Sequence, residues 1–231
     1  GAVFKNPDLA ETLTALAKHG RSAFYEGSIA RAMVDYFESI DADLTLDDLT
    51  THRGEWVEPR GVDYHGYTLY QLPPNGQGFA ALMMLNILKQ VDLRRFERGS
   101  PELFHFMVEA KRLAFEAMAG TFADPAYSTI PIDRLLSDEF AKRQFSRIRP
   151  DQVIEPQYLA VPLEGEGDTT YLTVVDGEGM MVSLIQSNYR GMGSGLVPTG
   201  LGFMLQDRGE LFSLDPSHPN VYAPGKRPFH T

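Results

Sequence analysis

Two adjacent threonines, Thr169 and Thr170, follow the acidic, glycine-spaced run EGEGD at 164–168 and open the alternating segment TTYLTVVD. Threonine is β-branched and suits strands, so the pair can serve simply as a strand start. The other reading is chemical. A Thr hydroxyl is a weak nucleophile unless a base stands beside it, and the α-amine of the same residue is such a base. Its reference pKa of about 7.7 to 8.0 leaves much of it neutral near physiological pH. That amine exists only after the Asp168–Thr169 peptide bond is cut. A loop running into a strand that begins with two threonines suits such a cut: the Thr169 hydroxyl attacks the Asp168 carbonyl, amide becomes ester, and water completes the break. Spacing alone leaves both readings open.

Other candidate chemistry is weaker. The six histidines form no i, i+4 pair and no cluster, and the absence of Cys removes thiolate nucleophiles, thiolate metal sites and disulfides, so no metal site is expected. The string RGMGSG at 190–195 resembles a phosphate loop, but Pro198 and Gly200 stand where a helix should begin, which favours a turn-rich, substrate-facing loop. Asp47 and Asp48 fit a helix start, where the dipole favours carboxylates. Tyr64, Tyr67 and Tyr70 fit the faces of a sheet.

The elements that must position the threonines are legible in outline. Asn6 and Pro7 open a helix with Leu9, Leu13 and Leu16 on one face and Gly20 at its end. Ser28 opens a second, with Ile29, Met33, Phe37 and Ile40 at helical spacing. Aromatic and β-branched residues at 56–72 around His65-Gly66 predict a hairpin or two edge strands. The run NGQGFAALMMLNILKQ is apolar nearly all round and predicts a buried helix, Ser100-Pro101-Glu102 opens a longer one running towards Gly120, and 133–147 predicts one more. Residues 148–168 read as an exposed connector. After it come TTYLTVVD, a turn at GEG, MMVSLIQSN, and LGFMLQ as a third strand. Helices first and strands later predict an α+β class, with the earlier helices covering the strands.

Composition bounds the partners. A net charge of −10 with no basic stripe argues against nucleic acid. The most apolar run, FAALMML, is far short of the roughly 20 residues that span a bilayer, and the start lacks the apolar block of a signal peptide, so no membrane partner is expected. Compartment and homo-oligomer formation are left open.

The wording of several stretches carries more than their periodicity. GDTTYLTVVDGEGMMVSLIQS resembles the start of the small subunit of the gamma-glutamyltransferase (gamma-glutamyltranspeptidase) family, and PNVYAPGKRPFHT resembles that family's PGKRP segment. FKNPDLAETL, GRSAFYEGSIARAMV, LTLDDLTTHRGEWVEP and LPPNGQGFAALMMLNIL resemble successive stretches of its large subunit. The resemblance covers nearly the whole chain. It implies the central portion of a four-layer αββα N-terminal-nucleophile hydrolase fold, with 1–168 belonging to the large-subunit-like region and 169–231 to the small-subunit-like region. It further implies self-cleavage before Thr169, catalysis by Thr169 with Thr170 and Ser187 in support, and pocket glycines at Gly193 and Gly195. The implied substrate is a γ-glutamyl amide such as that of glutathione, its acyl group passing to water or an amine, with no cofactor.

Some positions depart from the family's pattern. Tyr189 stands near a familiar Asn, Arg208 where Gln is common, and Leu211 in place of an acid; His230 and Thr231 replace a Ser pair. Losing the acid removes a partner for a substrate ammonium and Arg208 would repel one, which favours the acylase-like branch and a glutaryl-type acyl group. The family's chain also begins before Gly1, with a carboxylate-binding Arg, and extends past Thr231 to paired glycines of the oxyanion hole. The chain therefore reads as a fragment, inactive alone, whose partners include the remaining segments of a parent enzyme. The rival reading is a non-catalytic interaction domain that keeps the scaffold.

Overall fold

The computed structural model describes residues 1–155 and 169–230. In chain order the elements are α1 Pro7–His19, α2 Arg21–Tyr25, α3 Ser28–Ser39, α4 Leu46–Thr51, β1 Arg60–Tyr64, β2 Tyr67–Gln71, α5 Phe79–Leu88, α6 Pro101–Ala119, α7 Ile132–Leu135, α8 Asp138–Phe145, β3 Thr169–Val175 and β4 Met181–Ser187. They fall into two compact units, Gly1–Glu55 with Glu164–Asp207, and Trp56–Leu163 with Arg208–Thr231.

In the first unit, Asn6 caps α1 by accepting from the Leu9 N–H at 3.0 Å, Pro7 occupies the first turn, and Gly20 stops the helix at a φ of 60°. Thr45 and Asp48 form a reciprocal capping box on α4, and the Thr45 side-chain and backbone bonds hold the Asp48 carboxyl below its ordinary pKa. Ala23, Ile29, Met33 and Leu201 make the core, with Phe203 and Leu205 packed against it. Two bonds tie residues 201 and 202 to α1: Thr12 Oγ1 donates to the Leu201 carbonyl at 2.9 Å, and Asn6 Nδ2 to the Gly202 carbonyl at 2.8 Å. Gly202 is required there, because a Cβ would stand 2.3 Å from the Leu9 nitrogen.

The sequence 201–206, LGFMLQ, is not a strand. Leu201, Phe203 and Leu205 alternate because they meet one apolar cluster, while the backbone bonds sporadically, Leu205 N to the Leu196 carbonyl at 3.0 Å for example. β3 and β4 pair antiparallel, as expected, with Asp176 closing the turn by accepting from the Glu178 and Met180 N–H groups. Among the described residues the expected helix cover of this hairpin is absent: every residue of β3 and all of β4 but half-buried Ser187 are exposed.

The second unit holds the larger core. β1 and β2 pair antiparallel around His65 and Gly66, whose φ angles of 52° and 86° make the tight turn. α5 is buried on most sides, as its composition predicts: Phe79, Leu82 and Met83 meet Val62, Ala114, Met118, Phe122 and Phe140, and Ile87 and Leu88 meet Phe106, Ala110 and Leu113. Each such large side chain contributes about 1.5–3 kcal/mol by leaving water. Of this unit's hairpin only Val62 of β1 is buried, in the cluster with α5, while every β2 residue but half-buried Gln71 is exposed. Ser100 and Pro101 open α6 as expected, Ser100 Oγ accepting from the Leu103 N–H at 3.2 Å. The single helix expected at 133–147 is instead α7 and α8, because Ser137 caps a new start by accepting from the Phe140 N–H at 3.1 Å.

Candidate active site

The hairpin register sets Thr169 opposite Ser187 at the open end of β3 and β4. Thr169 Oγ1 donates to Ser187 Oγ at 3.0 Å, and the Tyr189 N–H donates to the same oxygen at 2.8 Å. Strand alternation puts Thr169, Tyr171 and Thr173 on one face with Ser183, Ile185 and Ser187, and the Tyr171 hydroxyl bonds Ser183 Oγ at 3.0 Å. Thr170 pairs with Gln186 on the opposite face, with Leu172, Val174, Val182 and Leu184. The structure therefore brings Thr169 and Ser187 together and points Thr170 the other way. A Thr hydroxyl already hydrogen-bonded to a second hydroxyl has a route for its proton when it attacks. Asp168, on the far side of the expected scissile bond, lies outside the described residues.

A loop of left-handed turns follows β4. Tyr189 has a φ of 84°, and Gly191, Gly193 and Gly195 have φ angles of 38°, 63° and 71°. Gly193 is needed on two counts, since a Cβ would also stand 2.3 Å from the Leu205 carbonyl oxygen. The loop returns on itself through Ser194, whose N–H and Oγ both donate to the Leu205 carbonyl at 2.9 Å. At its base the Asp207 N–H donates to the Asn188 carbonyl and Asp207 Oδ1 accepts from the Arg190 N–H, each at 3.3 Å.

The other expected binding positions belong to the second unit. Arg208 opens the 3-10 turn Arg208–Leu211. His230 is held by its backbone, its N–H donating to the Asn75 carbonyl at 3.0 Å and its carbonyl accepting from the Gln77 N–H at 2.8 Å. Desolvation of its ring, and then the charge of Arg208, push its pKa below 6.5. Thr231 lies outside the described residues.

The PGKRP segment before His230 is anchored by a residue that spacing does not reveal. Buried Asp124 accepts from the Arg227 N–H at 2.9 Å and pairs with its guanidinium at 3.1 Å. Burial raises the Asp124 pKa, but the Arg227 bonds and the Ala126 N–H outweigh it and hold the carboxyl below its ordinary value. Asn220 adds a second anchor, accepting from the Phe229 N–H at 2.8 Å and donating to the Leu211 carbonyl at 2.7 Å. Among the described residues no three His, Cys, Asp or Glu side chains converge as a metal site would require.

The solved structures that resemble the chain are N-terminal-nucleophile hydrolases, and its helices and antiparallel strands fit their mixed α and β fold. A cephalosporin acylase from Bacillus halodurans superposes on all of this chain and 41% of its own with a TM-score of 0.91 at 39% identity. The chain belongs to the gamma-glutamyltranspeptidase family, whose model matches residues 1–231. A glutathione hydrolase-like proenzyme of Bacillus subtilis, YwrD, is 42% identical over 100% of this chain and 43% of its own length. An oxamate amidohydrolase proenzyme of Klebsiella pneumoniae is 35% identical, again over 100% and 43%. The chain thus spans about two-fifths of the length of the curated relatives it matches.

Proposed function

We propose that this chain carries the nucleophile and part of the acyl-binding wall of a self-cleaving amide hydrolase or acyltransferase. The observation that carries it is the hydrogen bond from Thr169 Oγ1 to Ser187 Oγ at 3.0 Å. Cleavage before Thr169 frees its amine, separating the large-subunit-like 1–168 from 169–231, which act with the remaining segments of the parent protein. As Thr169 Oγ attacks an amide carbonyl, its proton passes to Ser187 Oγ while the Ser187 proton passes to the Thr169 amine. The net transfer is from hydroxyl to amine. The ammonium then protonates the leaving amine, leaving an acyl ester that water or an acceptor amine resolves. No cofactor enters.

Arg208, and Leu211 in place of an acid, favour an acyl chain that ends in a carboxylate and lacks an α-ammonium, so a glutaryl-type amide is preferred to a γ-glutamyl one. Relatives named as an acylase, an oxamate amidohydrolase and a glutathione hydrolase-like protein span both kinds of acyl group, so the preference rests on these two positions. Denaturing mass spectrometry of the full-length protein is expected to find two chains divided at Asp168–Thr169, and Thr169→Ala to leave one chain with no anilide hydrolysis. An active Thr169→Ala protein would defeat the proposal, and faster turnover of a γ-glutamyl than a glutaryl anilide would defeat its substrate assignment.

A further inference from the structure

We propose that Asp207 is a positioning residue for the Thr169 hydroxyl, acting through Tyr189 and Ser187; this rests on Thr169 being the nucleophile. A bulky residue at a φ of 84° is strained, and such a conformation persists only where its surroundings over-determine it. Here Asp207 brackets the strained residue. Its N–H donates to the carbonyl of Asn188, immediately before Tyr189, and its carboxylate accepts from the N–H of Arg190, immediately after, each at 3.3 Å. The Arg190 guanidinium also lies over the Tyr189 ring, 5.7 Å from its centroid.

Held this way, the Tyr189 N–H is delivered to Ser187 Oγ at 2.8 Å, the oxygen that also accepts from Thr169. That N–H orients the Ser187 lone pairs and stabilises the negative charge that grows on Oγ as protons move through it. Asp207 touches no reacting atom. Its side-chain contribution is one acceptor oxygen, and an asparagine amide supplies the same acceptor.

The test compares Asp207→Ala, Asp207→Asn and Tyr189→Gly/Asp207→Ala in the full-length protein. Misplacing the hydroxyl pair should lower kcat of Asp207→Ala roughly 10- to 100-fold and move KM less than about threefold, while Asp207→Asn keeps most of the rate. Glycine accepts positive φ without strain, so Tyr189→Gly should recover part of the Asp207→Ala loss. An unchanged kcat in Asp207→Ala, or an equal fall in Asp207→Asn, overturns the proposal. If Asp207→Ala does not fold, the double variant decides: recovery of cleavage before Thr169 supports the proposal and its absence overturns it. An inactive Thr169→Ala beside a fully active Asp207→Ala sinks this inference alone, whereas an active Thr169→Ala sinks the mechanism beneath it.

Discussion

At the residue scale the proposed chemistry rests on one oxygen. Ser187 Oγ accepts from both the Thr169 hydroxyl and the Tyr189 N–H, so in the proposed relay its own proton is the one passed on to the Thr169 amine. Ser187→Ala removes the relay and leaves the hairpin intact, so cleavage before Thr169 and anilide turnover should each slow by roughly 10² or more. Time-resolved mass spectrometry and initial rates read the two steps; a variant that processes and turns over at the parent rate would show that Ser187 carries no proton. His230 supplies a second test. Its folded pKa lies below 6.5, so the folded state resists a proton that the unfolded chain accepts, and folding is opposed as pH falls through that value. An NMR titration of His230 should have its midpoint below 6.5, and Arg208→Leu should raise it by removing the neighbouring charge. No upward movement would mean that Arg208 does not act on the ring.

At the scale of elements, Asp124 and Arg227 decide whether the PGKRP segment stays in place, bridging 103 positions of sequence. Because the folded Asp124 pKa is depressed below 3.8, its stabilisation is present above that value and is lost as pH falls through the folded pKa. Asp124→Asn should cost about 1–3 kcal/mol in urea unfolding at neutral pH, with the gap to the parent closing in acid. A gap that is constant with pH would place the loss in packing instead of charge. This contact also shows what sequence can carry. Asn6, Pro7 and Gly20 bound α1, and Ser100 and Pro101 open α6, because caps and stops are local chemistry. LGFMLQ misleads because alternation records which side chains meet the cluster of Ala23, Ile29 and Met33, and no ladder is needed for that. The Asp124 carboxylate has one local partner, the Ala126 N–H, but its bonds to Arg227, like those of Asp207 to Asn188 and Arg190, are set by tertiary return of the chain. Ser187 is legible only through family resemblance, and the register across the hairpin turn is what sets it opposite Thr169.

At the scale of the whole molecule, stability is unevenly spread. α5 and α6 share a core in which Phe79, Leu82, Ile87, Leu113 and Ala114 have essentially no exposure, whereas β3 and β4 form a two-stranded sheet with both faces largely in water. A lone hairpin is marginal by itself, because its few cross-strand contacts barely offset the entropy of ordering two strands. Hydrogen exchange on this chain should therefore protect the α5 and α6 amides at least about 10³-fold more than those of 169–187. Substitution should follow the same division: Leu82→Ala should cost about 2–5 kcal/mol, and Leu184→Ser, on the exposed hairpin, less than about 0.5 kcal/mol. Equal protection in the two regions, or a Leu184→Ser penalty matching that of Leu82→Ala, would mean that the apolar face formed by Leu172, Val174, Val182 and Leu184 is already covered in solution. The proposed nucleophile would then sit on a rigid platform. Low protection instead makes the Thr169–Ser187 contact a property of a thin ribbon, whose catalytic precision must come from whatever packs against that face.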